Sequence, residues 1–198
     1  MRVVVGLGNP GPAYVGTRHN VGFAVVAELA SRWRLLLGST RGGLRMVRGI
    51  VAGEPIMLVE PQLYMNRSGV AVASALPELG APALIVIHDD LDLELGCVRV
   101  KRGGGTGGHR GLESMVESCG ADFTRVRVGI GRPPMGGDPA EYVLATFQAD
   151  EASVARPAIE RAADAVECVL REGEETAMNN FNVRTRRASA AAAPAGRK

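Results

Sequence analysis

The sequence has few cysteines and no long apolar run. Its 198 residues include three cysteines, Cys97, Cys119 and Cys168, which lie far apart. An odd number at such spacing argues against a disulfide framework and favours small buried side chains. No apolar run approaches the roughly 18 residues that a membrane span needs. The three valines after Met1-Arg2 are too few for a signal peptide, so we expect a cytoplasmic protein with no membrane partner.

Several familiar reaction motifs are also missing. No G-x-S-x-G motif marks an activated serine, and no Gly-Lys-Ser/Thr marks a Walker A loop. The three histidines, His19, His88 and His109, and the cysteines do not have the close spacing of zinc ligands. We therefore expect no metal.

Net charge gives little reason to expect a nucleic acid partner. The chain has 23 basic and 21 acidic residues, for a formal net charge of +2. Five of the basic residues lie after residue 183, where no acid occurs, so the rest of the chain is slightly acidic. An argument for an anionic partner must therefore be local, and it comes from two stretches without acids, 99–110 and 125–132.

Apolar strands alternate with amphipathic segments, which predicts an α/β fold: one domain with a mixed, twisted β-sheet flanked by helices. Strands are expected at 2–7, 44–52, 55–59, 83–88, 97–102 and 125–130. Helices are expected at 21–36, 68–79, 111–118, 139–146 and 150–172, the first of them capped by Asn20. The basic, low-complexity end predicts a folded domain of residues 1–183 and a disordered tail of residues 184–198.

The first strand leads into Gly6-Leu7-Gly8-Asn9-Pro10-Gly11, which has the spacing of a G-x-G-x-x-G dinucleotide-binding motif. That motif needs a helix directly after the glycines, and the helix N-terminus holds the pyrophosphate. Pro10, Pro12 and Gly16 interrupt this segment, and the nearest acid, Glu28, falls inside the first predicted helix. An oxidoreductase that uses a nicotinamide or a flavin remains an alternative on the glycine spacing alone.

Four polar residues near strand ends suit acid–base chemistry. His19 follows the glycine loop, and Asp89 follows a buried strand at the edge where α/β folds place their sites. A carboxylate held against an imidazole fixes the tautomer and makes a competent general base near neutral pH. Asn9 and Asn66 lie at loop junctions and can donate to a developing oxyanion.

Each of these residues also has a simpler interpretation. His19 is compatible with a surface imidazole beside a helix start, and Asn66 with a helix N-cap. Asp89, together with Asp90 and Asp92, is compatible with a turn after a strand. The sequence alone does not show whether His19 and Asp89 meet.

A glycine-rich segment at 103–111 supplies a second feature. Glycines let a backbone approach a large ligand closely and offer amides to phosphates. Basic residues flank the segment at Arg99, Lys101, Arg102 and Arg110, which suits a ribose–phosphate chain. A flexible hairpin tip is the alternative.

Taken in order, the motifs resemble those of one family, the bacterial-type peptidyl-tRNA hydrolases. The resemblance covers the chain from Val4 to about Phe181. It rests on six motifs: GLGNPGxxY from Gly6, TRHNVG from Thr17, MNxSG from Met65, HDDLD from His88, GGHxGL from Gly107 and RVGIGRP from Arg127.

The resemblance implies hydrolysis of the ester that joins a peptide to the 3′-terminal ribose of tRNA. Such a hydrolysis needs a base, a water and oxyanion donors, so we expect no cofactor, and we expect a monomer. It implies that His19 is the general base that activates water, that Asp89 stabilises the basic form of His19, and that Asn9 distinguishes blocked from free aminoacyl esters. Further positions match substrate-binding residues of the family: Tyr14, Tyr64, Met65, Asn66, His109 and Arg110. Three basic residues match positions that meet the tRNA backbone: Arg99, Lys101 and Arg127.

One position departs from the family pattern. Arg110 stands where the family usually has an asparagine. An arginine cannot accept a hydrogen bond, but it can pair with a phosphate or stack on a base. A non-catalytic RNA-binding relative is the remaining alternative, and the intact set of His19, Asp89, Asn9 and Asn66 argues against it.

Overall fold

A six-stranded mixed sheet lies at the centre of the protein, in a computed structural model that describes residues 1–80 and 82–183. The strands are β1 (Arg2–Gly6), β2 (Leu44–Val51), β3 (Glu54–Pro61), β4 (Ala83–Asp90), β5 (Val98–Arg102) and β6 (Thr124–Gly129). Their order is β2-β3-β1-β4-β6-β5. β1 runs parallel to β3 and β4, and β4 runs parallel to β6, whereas the edge strands β2 and β5 are antiparallel to their neighbours. The predicted mixed α/β sheet is confirmed.

Helices cover both faces of the sheet. They are α1 (Val21–Arg32), α2 (Ser68–Ala75), α3 (Arg110–Cys119), α4 (Pro139–Leu144), α5 (Ala149–Glu172) and α6 (Glu174–Phe181). Successive strand residues point to opposite faces, so Val4 packs with α1, α5 and α6, whereas Val3 and Val5 pack with α2 and α3. None of the helices in the described ranges is both long and apolar enough to cross a bilayer.

The helices differ from the predicted ones chiefly at α1, α2 and α6, and α4 ends at Leu144 rather than 146. α1 ends at Arg32 rather than 36, because Arg34 adopts a φ of 54° and the Leu35 N–H donates to the Ala30 carbonyl in a Schellman turn. The segment predicted as one helix at 68–79 is α2 followed by a 3₁₀ turn at Leu76–Leu79. α6 was not predicted. The tail predicted at 184–198 lies outside the described residues.

Two glycines let α1 lie directly against the sheet. A Cβ on Gly22 would lie 2.4 Å from the Leu7 carbonyl oxygen and 2.6 Å from the Ile87 carbonyl oxygen. A Cβ on Gly6 would lie 2.3 Å from the Gly22 carbonyl oxygen. The start of α1 is therefore held at the carboxyl ends of β1 and β4.

This edge of the sheet is a topological switch point. The chain leaves β1 toward β3 on one side, and β4 is the neighbour of β1 on the other side. Open α/β sheets form a crevice at such a point, outside the carboxyl ends of the strands. Asn9 follows β1 and Asp89 ends β4, so both are at this crevice.

Candidate active site

A cleft of about 980 Å³ opens at the switch point. Its walls come from the loop after β1, the end of β4, the glycine-rich loop before α3, and α4. Every residue that the sequence assigned to the site lines this cleft except Arg99, namely Asn9, Tyr14, His19, Tyr64, Met65, Asn66, Asp89, Lys101, His109, Arg110 and Arg127. Its volume is in the range of small-molecule sites and admits the end of a larger ligand.

Asp89 is the centre of the polar network in the cleft. Its carboxylate, 3% exposed, lies 2.9 Å and 3.0 Å from Nδ1 of His19 and 2.9 Å from Nε2 of His109. Burial alone would raise the pKa of Asp89, but the two imidazoles outweigh it and hold that pKa well below its ordinary value. Asp89 is therefore an anion that accepts from two histidines.

The tautomer of His109 is fixed by a helix start. His109 is the N-cap of α3, and its Nδ1 accepts from the backbone N–H groups of Gly111 (3.1 Å) and Leu112 (3.3 Å). A nitrogen that accepts cannot carry a hydrogen, so Nε2 carries it and donates to Asp89. His109 is a neutral donor that joins α3 to the carboxylate.

His19 has its free nitrogen on the cleft side. Asp89 occupies Nδ1, which therefore carries the hydrogen and leaves the lone pair on Nε2. The side chain is 12% exposed, and the residue lines the cleft. This arrangement meets the requirements for a general base that takes a proton from water.

The same three residues form the one group in the described ranges that could hold a metal ion, since their ligand atoms lie within 4.8 Å of one another. A metal on Nε2 of His109 would move the hydrogen to Nδ1, where it would point at two backbone N–H donors. The first turn of α3 would have to open. The hydrogen bonds therefore suit a proton-bearing network better than a metal site.

His88 supports Asp89 from the neighbouring position on β4. Its Nδ1 donates to the Asp89 backbone carbonyl at 2.7 Å, and Nε2 is buried with no hydrogen-bond partner in the described part of the chain. Burial, with His109 nearby, lowers the pKa of His88 to about 3. His88 is thus neutral at physiological pH, and it adds no charge beside Asp89.

Asn9 is oriented by hydrogen bonds on three sides. Asn20 donates from its side chain to the Asn9 carbonyl (2.9 Å) and accepts from the Asn9 N–H (2.8 Å). The Asn9 Oδ1 accepts from the Met65 N–H at 2.8 Å. The amide nitrogen of Asn9 is consequently the group left for a ligand, and it has no partner within residues 1–80 and 82–183. Asn20 is the N-cap residue of α1, as predicted, but its side chain makes no capping hydrogen bond because it pairs with the Asn9 backbone instead.

Tyr14 and Tyr64 form an aromatic edge of the cleft. Their rings are 6.3 Å apart at 80°. Tyr64 is 55% exposed and adopts φ 62°, ψ 160°, a conformation that side chains other than glycine rarely take. Asn66, two residues later, is exposed in the cleft rather than acting as the N-cap of α2, a position that Arg67 occupies.

Met65 is a buried floor residue of the cleft, 4% exposed. Its sulfur would lie 2.4 Å from a Cβ on Gly111, so the glycine in the first turn of α3 leaves room for the thioether. Met65 therefore contacts both sides of the cleft floor: its backbone N–H bonds to Asn9, and its side chain packs against the first turn of α3.

Basic residues occupy the opposite wall of the cleft. Arg127 pairs with Asp90 at 2.7 Å, and Arg132 pairs with Asp92. Arg125 is buried, and it donates to the carbonyls of Gly104 and Gly105, both at 2.6 Å. The glycine-rich loop is thus held by a side chain rather than being a free hairpin tip.

Arg99 is not part of the cleft. Its guanidinium donates to the carbonyls of Phe181 (2.8 Å) and Val183 (2.9 Å), because β5 is an edge strand along which the chain after α6 runs. The structure therefore places Arg99 outside the cleft, on the edge strand, and its contact with the tRNA backbone stays a prediction.

Arg18 is a residue of the site that the sequence analysis did not single out. It is 3% exposed, donates to the carbonyls of Ala145 (3.2 Å) and Thr146 (2.9 Å), and pairs with Glu151. Its guanidinium stacks on the Tyr142 ring at 4.1 Å. Arg18 directly precedes His19, and its contacts therefore hold α4, which forms a wall of the cleft, close to His19. The sequence feature that could have drawn attention to Arg18 is its position beside His19 in the TRHN motif.

Comparison with known proteins agrees with this site. The family profile described as peptidyl-tRNA hydrolase matches residues 3–190. The peptidyl-tRNA hydrolase of Rubrobacter xylanophilus is 50% identical over 184 residues, which cover 91% of this chain and 99% of that protein. The chain belongs to the peptidyl-tRNA hydrolase family. The enzyme of Syntrophotalea carbinolica is 45% identical over 187 residues, covering 93% of this chain and 98% of that one.

The fold matches the same family. The crystal structure of peptidyl-tRNA hydrolase from Acinetobacter baumannii aligns with a TM-score of 0.85 at 37% identity, covering 92% of this chain and 94% of that one. The protein is accordingly an ester hydrolase that acts on peptidyl-tRNA. The glycine spacing that suggested a dinucleotide has a different use in this family member, since Gly6 and Gly8 pack against Gly22 and Phe23 of α1.

Proposed function

We propose that His19, Asp89 and Asn9 carry out the hydrolysis of peptidyl-tRNA. The observation that carries this proposal is the buried Asp89 carboxylate, which accepts from His19 and His109 in the cleft. Nε2 of His19 takes a proton from water while the water oxygen attacks the ester carbonyl carbon. When the tetrahedral intermediate collapses, the bond from carbon to the ribose oxygen breaks and His19 returns the proton to that oxygen. Free tRNA and a peptide acid are the products.

Asp89 acts by stabilising the imidazolium that forms during this step. Its charge lies beside Nδ1, and the second hydrogen bond from His109 keeps the carboxylate ionised and oriented. The chemistry uses water, a base and hydrogen-bond donors, and we propose that it proceeds without a metal or a cofactor.

Asn9 selects blocked substrates through the direction of its amide. Because Oδ1 accepts from Met65, the group available to a ligand is a donor. An acylated amino group presents a carbonyl oxygen that accepts from this donor. A free ammonium presents hydrogens only, so it meets the Asn9 amide donor to donor and loses its hydration without compensation. The site thereby prefers peptidyl over aminoacyl esters.

Further residues bind the two ends of the substrate. Tyr14, Tyr64, Met65 and Asn66 line the part of the cleft next to Asn9 and contact the peptide and the terminal nucleoside. On the opposite wall Lys101, Arg110 and Arg127, with the N-terminus of α3 at His109, face the RNA. Arg99 lies outside the cleft on the edge strand β5, where it would meet the tRNA backbone beyond the reaction centre.

We propose that the protein acts as a monomer, because the cleft of a single chain holds the base, its carboxylate and the selecting amide. We propose that it acts in the cytoplasm, the compartment of translation. Size-exclusion chromatography with light scattering checks the oligomeric state. A mass of about two chains at working concentration would contradict the monomer.

Release of peptide from N-acetyl-aminoacyl-tRNA tests the function, with unblocked aminoacyl-tRNA as the matched substrate. We expect wild-type protein to prefer the blocked ester, and His19→Ala to lower kcat by about 10²- to 10⁴-fold while tRNA affinity is kept. Asn9→Asp, which keeps the shape but replaces the donor by an acceptor, should remove the preference. Near-normal turnover by His19→Ala would refute the base assignment, and tRNA binding without any release would indicate a non-catalytic relative. Saturable binding of a nicotinamide or flavin would favour the oxidoreductase alternative.

A further inference from the structure

The basic residues of the cleft divide into two groups by their partners. Arg127 and Arg132 each have a carboxylate, from Asp90 and Asp92. Lys101, Arg110 and Arg125 have no acidic partner among residues 1–80 and 82–183, although all three line the cleft. Charges of one sign that a structure leaves uncompensated in a cleft attract ligands of the other sign.

Arg110 lies at a position where its own helix disfavours it. It is the first residue of α3, and the N-terminus of a helix carries a partial positive charge that stabilises anions and repels cations. Its side chain is exposed and has neither a hydrogen bond nor an ion pair in the described part of the chain. Local stability therefore does not account for an arginine here, whereas an anionic ligand does.

Arg125 adds to the lining of the cleft a second positive charge that has no acidic partner in the described ranges. It is 3% exposed, and its two terminal nitrogens donate to the uncharged carbonyls of Gly104 and Gly105. These bonds hold the guanidinium in place and leave its charge uncompensated. Together with Lys101 and Arg110 it gives this side of the cleft a positive potential that attracts an anion.

The position of Arg110 relative to the reaction defines which anion it meets. His109 precedes it and bonds to Asp89, which bonds to His19, so Arg110 is next to the network that would activate water. In a tRNA substrate the ester is on the terminal ribose, and the nearest phosphodiester is on the 5′ side of that same ribose, one sugar ring away. An arginine side chain that starts beside the His19 network is long enough to reach from the ester to this phosphodiester. Its planar guanidinium also matches the geometry of phosphate oxygens.

We propose that Arg110 binds the phosphodiester on the 5′ side of the terminal nucleoside and so holds the ester against His19. The inference rests on the proposed function, because it assigns a part of that substrate to one residue. Arg110 then contacts the phosphodiester of the substrate, and its contribution to catalysis requires that phosphate and not the acyl group.

Two short substrates separate the phosphate from the ester. One is N-acetyl-aminoacyl-adenosine, which has the ester and no phosphodiester; the other is the same ester on the dinucleotide CpA. We expect Arg110→Gln to lower kcat/KM for the CpA ester by about tenfold, the size of one charge-assisted hydrogen bond in a partly exposed site. The nucleoside ester should be hydrolysed at the wild-type rate, and Arg110→Lys should recover part of the loss.

Salt dependence gives a second readout on full-length substrate. Loss of one phosphate contact to a single strand should reduce the slope of log kcat/KM against log salt by about 0.7. Arg156→Gln is the matched control, because Arg156 is an exposed arginine of α5 whose contact is Glu160, outside the cleft. That control should leave both the slope and the CpA ester rate unchanged.

The outcomes are distinct from one another. Equal loss on both short esters would overturn the inference and place Arg110 at the acyl group. No loss on either ester, with an unchanged salt slope, would show that Arg110 does not touch the substrate. Failure of wild-type protein to hydrolyse N-acetyl-aminoacyl-tRNA would instead refute the proposed function. Competition by CpA and by adenosine adds an arm that needs no turnover, since Arg110→Gln should weaken inhibition by CpA alone.

Discussion

His88 should make the protein less stable as the pH falls. The folded protein holds this histidine neutral, with its pKa lowered to about 3 from an ordinary 6.5, because it is buried and lies beside His109. The unfolded chain binds a proton at His88 below pH 6.5, whereas the folded protein does not. The free energy of unfolding therefore decreases as the pH falls from about 6.5 toward 3, and His88 does not change it above about 6.5.

The size of the effect follows from the two pKa values. Each pH unit inside that window changes the free energy of unfolding by about 1.4 kcal/mol for one proton. Between pH 7.5 and pH 5 the single group accounts for about 2 kcal/mol, because the change begins only near pH 6.5.

Urea unfolding at pH 7.5 and pH 5 measures this loss in wild type, His88→Asn and His88→Gln. Asparagine places a donor where Nδ1 donates to the Asp89 carbonyl, and glutamine does not, so the two variants should differ in stability at both pH values. Both lack the titrating group, and both should lose about 2 kcal/mol less than wild type on acidification. An identical pH dependence in all three proteins would refute the reasoning.

Three further substitutions test other parts of the structure. Asp89→Asn should lower kcat by about 10³-fold with little change in tRNA affinity, because the amide cannot stabilise an imidazolium; single-turnover kinetics check this, and a loss confined to KM would contradict it. Arg18→Met should reduce the free energy of unfolding by about 3 kcal/mol, since it removes the ion pair with Glu151 together with the hydrogen bonds to the Ala145 and Thr146 carbonyls; Glu151→Gln keeps an acceptor for Arg18 and should cost less in the same denaturant titration. Gly22→Ala should destabilise by about 3 kcal/mol or more, because its methyl group would meet the backbone of Leu7 and Ile87, whereas Gly105→Ala meets nothing within 4 Å and should be close to neutral in thermal unfolding.

The buried strands and the long helices could be predicted because their signals are local. The apolar run at 83–88 and the amphipathic period at 150–172 lie within β4 and α5. The helix end at Arg32 was missed because an arginine, not a glycine, takes the left-handed position at residue 34. Such a substitution carries a conformational cost that neighbouring packing offsets, and no sequence pattern reports it.

The sequence named most of the residues that line the cleft, but not the contacts between them. The chemistry of His19 and Asp89 suggested a pair, and the fold brings them to 2.9 Å. Sequence offered no sign that His109 shares the same carboxylate, because that contact joins a helix N-cap to a strand end 20 residues away. The hydrogen bonds between Asn9 and Asn20 and those of Arg18 could not be predicted either, because both sets depend on loops whose conformation is set by distant contacts.

The orientation of Asn9 has a consequence for how the site ages chemically. Asparagine deamidates mainly when the backbone nitrogen of the next residue loses its hydrogen and attacks the side-chain carbonyl carbon to form a succinimide. In this chain the next residue is Pro10, whose ring nitrogen has no hydrogen, so that route is closed at Asn9, where conversion to a carboxylate would turn the donor into an acceptor. Pro10, which also interrupts the helix that a dinucleotide site would need, thus protects the side chain that we propose selects blocked esters.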